Sequence, residues 1–472
     1  MTDIPLTIQE AARQLRDGSL SSVELTKAVL ERADALDPQL GVYITRMDEP
    51  ALDAARQADA SFAAGRDHGP LQGIPLGLKD ILSTSDAPTT AQSLVMDPEW
   101  SAQGDGPVVA RLRQAGAVIA GKNSTMEFAN GQPDAERPFP VPKNPWNTDH
   151  WTGGSSSGTA AGISAGLFLG GLGTDTGGSV RWPSAWCGIS GMKQTFGRVP
   201  KSGCTQNGFS LDHIGPMARS AWDCAALLNV MAGHDPGDLN AARKPVPDYL
   251  AGLDGDMRGM RVGVVRANHL DVEGTLPETV QCFEDAVTAF ENAGAKTAEV
   301  VIPKYDVFAT ANWVNNAGEK APIYLRRLQN HWEDWGRYTR VGVASFGLFL
   351  TAADYLTALR VRRYAQKVVA ELMADFDVLV MPTAKGGASR IADIGYAKAL
   401  SFPMFTGLWS FTGSLRWPSP WASRTTVCRS RCRSWARPLD EATVFKAADA
   451  YQRITDWHLR LPPVLHATEV PA

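Results

Sequence analysis

The sequence predicts an α/β fold, a sheet covered by helices, on three observations. Helical and strand-like apolar patterns alternate along the chain instead of segregating into separate halves. With 44% hydrophobic and 20% charged residues, the composition is that of an ordinary globular protein, not a disordered one. No repeat period and no low-complexity linker interrupts the 472 residues. Length alone would allow roughly two to four domains, but the uninterrupted patterning favours a single domain over residues 1–472.

Taken in order, Ser21 and Glu24 form a capping-box pair ahead of Leu25, Val29 and Leu36, which predicts a helix ended by Pro38. Val108 to Gln114 has helical spacing, Gly116 stops it, and Ala117 to Ala120 reads as a short buried strand. Arg261 to Val265 and Val378 to Met381 carry further strand signals. Tyr305 to Tyr338 is rich in aromatics, with Phe308, Trp313, Tyr324, Trp332 and Trp335.

Composition also narrows the function classes. Lys and Arg number 46 against 50 Asp and Glu, a net charge of −4, which argues against a nucleic-acid coat or a polybasic membrane binder. Neither nucleic acid nor membrane is therefore expected as a partner, while a homodimer is compatible with the sequence. The longest apolar stretch, Ala160 to Gly173, is too short to span a bilayer, and the N-terminus lacks a signal-peptide pattern. Six scattered cysteines do not suggest a disulfide framework. A cytoplasmic, reduced protein is the expectation.

Two small-residue runs stand apart: Gly153-Gly-Ser-Ser-Ser-Gly158 and Gly173-Thr-Asp-Thr-Gly-Gly-Ser179. Glycine lets the backbone approach another group closely, so the runs suggest amides aimed at a ligand; the plain reading is two tight turns around a helix. A phosphate loop would need Gly-Lys-Ser/Thr at its end, and none follows. Gly154 to Gly158 fits a nucleophile elbow centred on Ser156, but His213, His234, His269, His331, His458 and His466 lie in no telling context. Cys428 and Cys432 have no partner pair, so no metal site is expected.

Read together with Gly73-Ile-Pro-Leu-Gly-Leu-Lys-Asp80, the two runs resemble the amidase signature family. Pro183, Cys187-Gly188, Gly191-Met-Lys193, Ser210 to Pro216 and Pro438 to Glu441 extend the match over most of the chain. The resemblance implies the amidase-signature fold, with a mixed central β-sheet flanked by α-helices. It implies hydrolysis of a carboxamide through a serine acyl-enzyme, on a small-molecule amide and without a cofactor. A catalytic Ser–Ser–Lys triad follows, with Lys79 as base, Ser155 as bridge and Ser179 as nucleophile; the serines stand 24 positions apart, as in the family. A cis peptide before Ser155 is implied as well.

For the base to work, Lys79 must be neutral, and the apolar flank Ile74 to Leu78 suits a buried lysine with a lowered pKa. Backbone N–H groups of Thr176, Gly177 and Gly178 are candidates for an oxyanion hole. Met126, Gly153, Gly154 and Arg181 are candidate substrate-binding positions, with Met126 to Ala129 as a pocket wall. Asp175 and Arg181 read chiefly as an ion pair that positions the loop, while Lys122 and Lys193 read as solvated or tied to loop carbonyls. The glutaminase subunit of a tRNA-dependent amidotransferase resembles the chain in the same motifs and is the alternative function. The aromatics of Tyr305 to Tyr338 lean towards a bulky apolar or aryl substrate, with plain core as the competing reading.

One segment departs from the family. The 24 residues Ser414 to Arg437 hold six Arg, five Ser, three Trp and two Cys, with no Gly, Lys, Asp or Glu. Where the family has two apolar strands, permissible GC-rich codons for Ser414 to Trp435, read two bases out of register, can give an apolar, glycine-containing run in the family's pattern. A pair of compensating frameshifts accounts for both observations. A basic, Trp-rich nucleic-acid patch accounts for the arginines but not for the second register. If the segment disables the fold or the pocket, the chain is an inactive member of the family.

Overall fold

The computed structural model describes residues 4–395, 405–413, 417–418, 432–435 and 437–465. Its first strands in chain order are β1 (Tyr43–Arg46), β2 (Pro75–Lys79), β3 (Val118–Asn123), β4 (Lys143–Asn144) and β5 (Asn147–Trp151). They are followed by β6 (Gly170–Asp175), β7 (Ser190–Gly191), β8 (His213–Ala218), β9 (Arg261–Val264) and β10 (Lys296–Glu299). The last are β11 (Val378–Pro382), β12 (Trp417–Pro418) and β13 (Cys432–Trp435).

Two hydrogen-bonded runs carry the sheet. The first has the order β1-β3-β2-β6-β8-β7 and the second β10-β9-β11-β13-β12, while β4 and β5 form a separate hairpin. Both runs are mixed: β3, β2 and β6 are mutually parallel, and β8 returns antiparallel to β6. Likewise β10, β9 and β11 are parallel, with β13 antiparallel. β12, at the edge of the second run, lies beside β7, at the edge of the first. This is the mixed α/β architecture that the sequence predicts.

Local sequence explains the elements that frame the site. Ser21 Oγ accepts the Glu24 amide while Glu24 accepts the Ser21 amide, so the capping box forms as read. The helix runs to Leu40, past Pro38, and ends at Gly41 in the left-handed region (φ 66°). A proline in the last turn disturbs little, because few hydrogen bonds remain to be lost there. The helix Pro107–Gln114, its Gly116 stop and the strand that follows also match the sequence reading.

β2 is buried along its whole length, as expected of a parallel strand covered on both faces. Helix Ser157–Ala165, built from Ser, Gly, Thr, Ala and Ile, packs against the sheet with every residue buried. A Cβ on Gly158 would stand 2.5 Å from the Val42 carbonyl oxygen, and one on Gly162 2.2 Å from the Phe168 ring. Small residues are what allow this helix to sit so close. The main hydrophobic core includes Leu76 and Leu172 of the first run together with Val262 and Val378 of the second.

Most of the anomalous stretch from Ser414 to Arg437 lies outside the described residues. The parts that are described include β12 and β13, with β13 paired to β11 in the register Leu379↔Trp435 to Pro382↔Cys432.

Candidate active site

The parallel strands β2 and β6 run side by side, and the C-terminal edge of parallel strands is where open α/β sheets bind ligands. Lys79 is the last residue of β2 and Asp175 the last of β6. The first Gly/Ser run leads into helix Ser157–Ala165, and the second leads from β6 into helix Arg181–Cys187. The two runs therefore do bracket a helix, as in the plain sequence reading, and they also converge on the strand ends.

Lys79 is fully buried. Its Nζ lies 2.6 Å from Ser155 Oγ and 2.8 Å from Thr174 Oγ1. Burial pulls its pKa down to about 7, against the opposing pull of Cys204, Asp175 and Asp212. The Gly154–Ser155 peptide bond is cis, and the Ser155 carbonyl accepts the Thr125 hydroxyl at 2.7 Å. The Ser156 amide donates to the Ser179 carbonyl at 3.2 Å, joining the two runs. Ser156 Oγ accepts the Thr174 amide at 3.1 Å and donates to the Thr174 carbonyl at 3.2 Å. Its hydroxyl is thus bonded locally, in keeping with a role outside any elbow.

Ser179 is half-buried and faces a cavity of about 390 Å³. Met126, Gly154, Thr176, Gly177 and Gly178 line the same cavity, whereas Gly153 and Arg181 do not. Gly153 (φ 77°) instead packs where a Cβ would stand 3.0 Å from the Trp186 ring. Of the aromatics singled out in the sequence, Trp313 lines the cavity, as does Tyr338 at the end of that segment; Phe308, Tyr324 and Trp335 belong to apolar core, and Trp332 is exposed. A second cavity of about 690 Å³ reaches Thr174 and shares Thr176 and Asn207 with the first.

Arg181 has no exposure, and each nitrogen of its guanidinium donates a hydrogen bond. Nε and Nη2 donate to the two Asp175 oxygens at 2.7 and 2.6 Å, Nη1 to the Thr406 carbonyl at 3.0 Å, and Nη2 to Ser410 Oγ at 2.7 Å. Burial opposes the Asp175 charge, but Arg181 outweighs it and holds the carboxyl well below its usual range. Asp175 also accepts the Val180 and Arg181 amides, so the pair fixes the turn that presents Ser179.

Sequence reasoning missed several residues. Thr174 stands inside the second run, but its contact with Lys79 crosses from β6 to β2 and has no local signal. Asp212 accepts Thr176 Oγ1 at 2.6 Å and the Asn207 and Gly208 amides at 2.8 and 2.9 Å, bracing the loop ahead of Ser179. Lys122 is neither solvated nor bound to a loop carbonyl: it is fully buried, with Nζ 3.0 Å from Asp80 Oδ1 and 2.7 Å from Thr89 Oγ1. Its place on β3, an interior strand buried along its length, withdraws it from water. Lys193 does reach the Gln194 carbonyl at 3.3 Å, and also lies 3.3 Å from His213 Nε2.

The family profile described as Amidase matches residues 24–417. One subunit of the glutamyl-tRNA(Gln) amidotransferase from Chloroflexus aggregans is 36% identical, over 98% of this chain and 99% of that protein. The native peptide amidase of Stenotrophomonas maltophilia matches with a TM-score of 0.84 at 29% identity, over 97% of this chain and 99% of that one. A chain from a vestigial protein complex tied to the evolutionary origins of an s-triazine catabolic enzyme gives a TM-score of 0.87 at 27% identity, over 95% and 98% of the two chains.

These relatives correct one expectation. The near-neutral charge reads as excluding a nucleic-acid partner, yet the Chloroflexus relative is named as part of an enzyme acting on a charged tRNA. Net charge of one chain says little about an assembly in which other subunits contribute surface. Among the described residues, no helix is long and apolar enough to cross a membrane. With the profile spanning most of its length and a relative more than a third identical along nearly all of it, this chain belongs to the amidase family, enzymes that hydrolyse carbon–nitrogen bonds.

Proposed function

We propose that the protein hydrolyses a carboxamide through an acyl-enzyme on Ser179, with Lys79 as base and Ser155 as the bridge between them. The observation that carries this reading is the buried Lys79 amine 2.6 Å from Ser155 Oγ, with Gly154, the neighbour of Ser155, lining the same cavity as Ser179. A neutral lysine amine has a lone pair that can accept the Ser155 proton while its own N–H donates to Thr174 Oγ1. Ser155 then takes the proton of Ser179 as that hydroxyl attacks the carbonyl, and the proton returns to the leaving amine. Thr176, Gly177 and Gly178 supply backbone N–H groups towards the developing oxyanion, where a single donor is typically worth about 3–4 kcal/mol of barrier. Met126 and Gly154 shape the wall beside it.

A fluorophosphonate probe followed by peptide mapping tests this. The label should fall on Ser179, disappear in Ser179→Ala and slow by orders of magnitude in Lys79→Ala. Folded protein that turns over amides yet takes no label at Ser179 would overturn the assignment, and folded protein that does neither would be an inactive family member.

A second reading is favoured by the 36% identity to the amidotransferase chain over almost the full length of both proteins. The amide would then be that of glutamine, and the ammonia would pass to a tRNA-bound acceptor held by a partner protein. Glutamine hydrolysis rising on addition of partner subunits supports this reading, and an unchanged rate counts against it.

A further inference from the structure

One wall of the Ser179 cavity is not used by the chemistry above. The helix Tyr305–Asn330 presents Asn312, Asn316 and Lys320 to it, one residue per turn along a single stripe. Among the described residues, Lys320 is the one charged side chain lining this cavity. None of the described carboxylates lies within ion-pair reach of its amine, and Asp212, the acidic group that acts on it, is already bound by Thr176, Asn207 and Gly208. An ammonium held in a largely apolar pocket without a counter-ion is poorly solvated, and burial draws its pKa down to about 8. Most of it is still charged at neutral pH. An anion arriving with the substrate would restore the lost solvation and form a charge-assisted hydrogen bond.

We propose that Lys320 anchors a carboxylate of the substrate, so that the enzyme prefers small carboxamides bearing an anionic group. The amide carbonyl then sits over Ser179 and the carboxylate against the helix stripe, with Asn316 beside it. A cavity of about 390 Å³ suits a substrate of this size. The proposal rests on the reading of Ser179 as nucleophile only for the placement of the amide end; recognition of the anion does not depend on it.

Equilibrium binding in the Ser179→Ala background separates the two. Calorimetry would compare glutaramate with pentanamide, which has the same chain and amide but no carboxylate. Glutaramate is expected to bind at least about tenfold more tightly, with the preference lost in Lys320→Met and largely kept in Lys320→Arg. Lys320→Glu should instead favour the cationic 5-aminopentanamide. Equal binding of glutaramate and pentanamide, or a preference that survives Lys320→Met in protein with an unaltered circular dichroism spectrum, overturns the proposal. Failure of Ser179 to take the fluorophosphonate would count against the nucleophile and leave this binding result standing.

Discussion

At the scale of single residues, the site turns on what burial does to an amine. Lys79 ends a fully buried strand, and desolvation brings its pKa to about 7. As the proposed base, Lys79 works only when neutral, so kcat/KM for an uncharged amide is expected to fall about tenfold per pH unit below about pH 7 and to level off above it. A pH–rate profile that stays flat from pH 5 to pH 9 would contradict the role. Lys79→Ala should remove that limb together with most of the turnover. The same shift has a sign for stability: between about 7 and the ordinary lysine value of 10.5, the unfolded chain holds a proton that the folded chain has released. This group's contribution to stability therefore rises as pH climbs through that window. Lys79, Ser155 and Ser179 can be singled out in the sequence as candidates because each stands in a glycine-containing run whose spacing is itself unusual. Thr174, Asp212 and Lys320 cannot, because each meets the candidate site through a contact or cavity assembled by distant segments.

Secondary-structure elements hold those residues in place through backbone closeness and one buried ion pair. β2 and β6 lie so near each other that a Cβ on Gly171 would stand 2.3 Å from the Gly77 carbonyl oxygen. Gly171→Ala should push the strands apart, lowering both stability and turnover, because Lys79 and Thr174 sit on opposite sides of that seam. A variant with the wild-type melting temperature and rate would refute the account. Arg181 and Asp175 are both fully buried, and removing one partner leaves an uncompensated charge. Arg181→Met should cost about 3–5 kcal/mol in urea unfolding, far beyond what an exposed pair would lose. The sequence already favours a positioning pair here, since an Asp and an Arg six residues apart flank the serine turn. It cannot reveal that Thr406 and Ser410, more than 220 positions away, complete the arginine's partners. Helix limits are legible to within a few residues: the capping box at Ser21 marks the start of its helix, while Pro38 misplaces the end because a last-turn proline has little left to break.

For the whole molecule, a shared core suggests that the chain unfolds as one body. Buried side chains from both sheet runs belong to a single apolar cluster, so we infer one domain over residues 1–472. Circular dichroism and tryptophan fluorescence should then report one coincident urea transition; two separated midpoints would divide the chain. The segment Ser414 to Arg437 bears on that stability. β13 is an interior strand, antiparallel to β11 on one side and β12 on the other, and such a strand normally carries apolar residues on its core face. Yet its residues are Cys432, Arg433, Ser434 and Trp435, with Arg433 in register with Met381 of the buried β11. An arginine at an interior register position is what a shifted reading frame would leave behind, and the alternative frame can supply apolar residues and glycine for Ser414 to Trp435. Replacing residues 414–435 with that apolar run should raise the unfolding free energy by at least about 2 kcal/mol, the gain from burying one further large aliphatic side chain. A higher urea midpoint with an unchanged slope would support the frameshift origin. A lower midpoint, together with an unambiguous in-frame gene sequence across Gly413 to Pro438, would establish the arginine-rich strand as native to this protein.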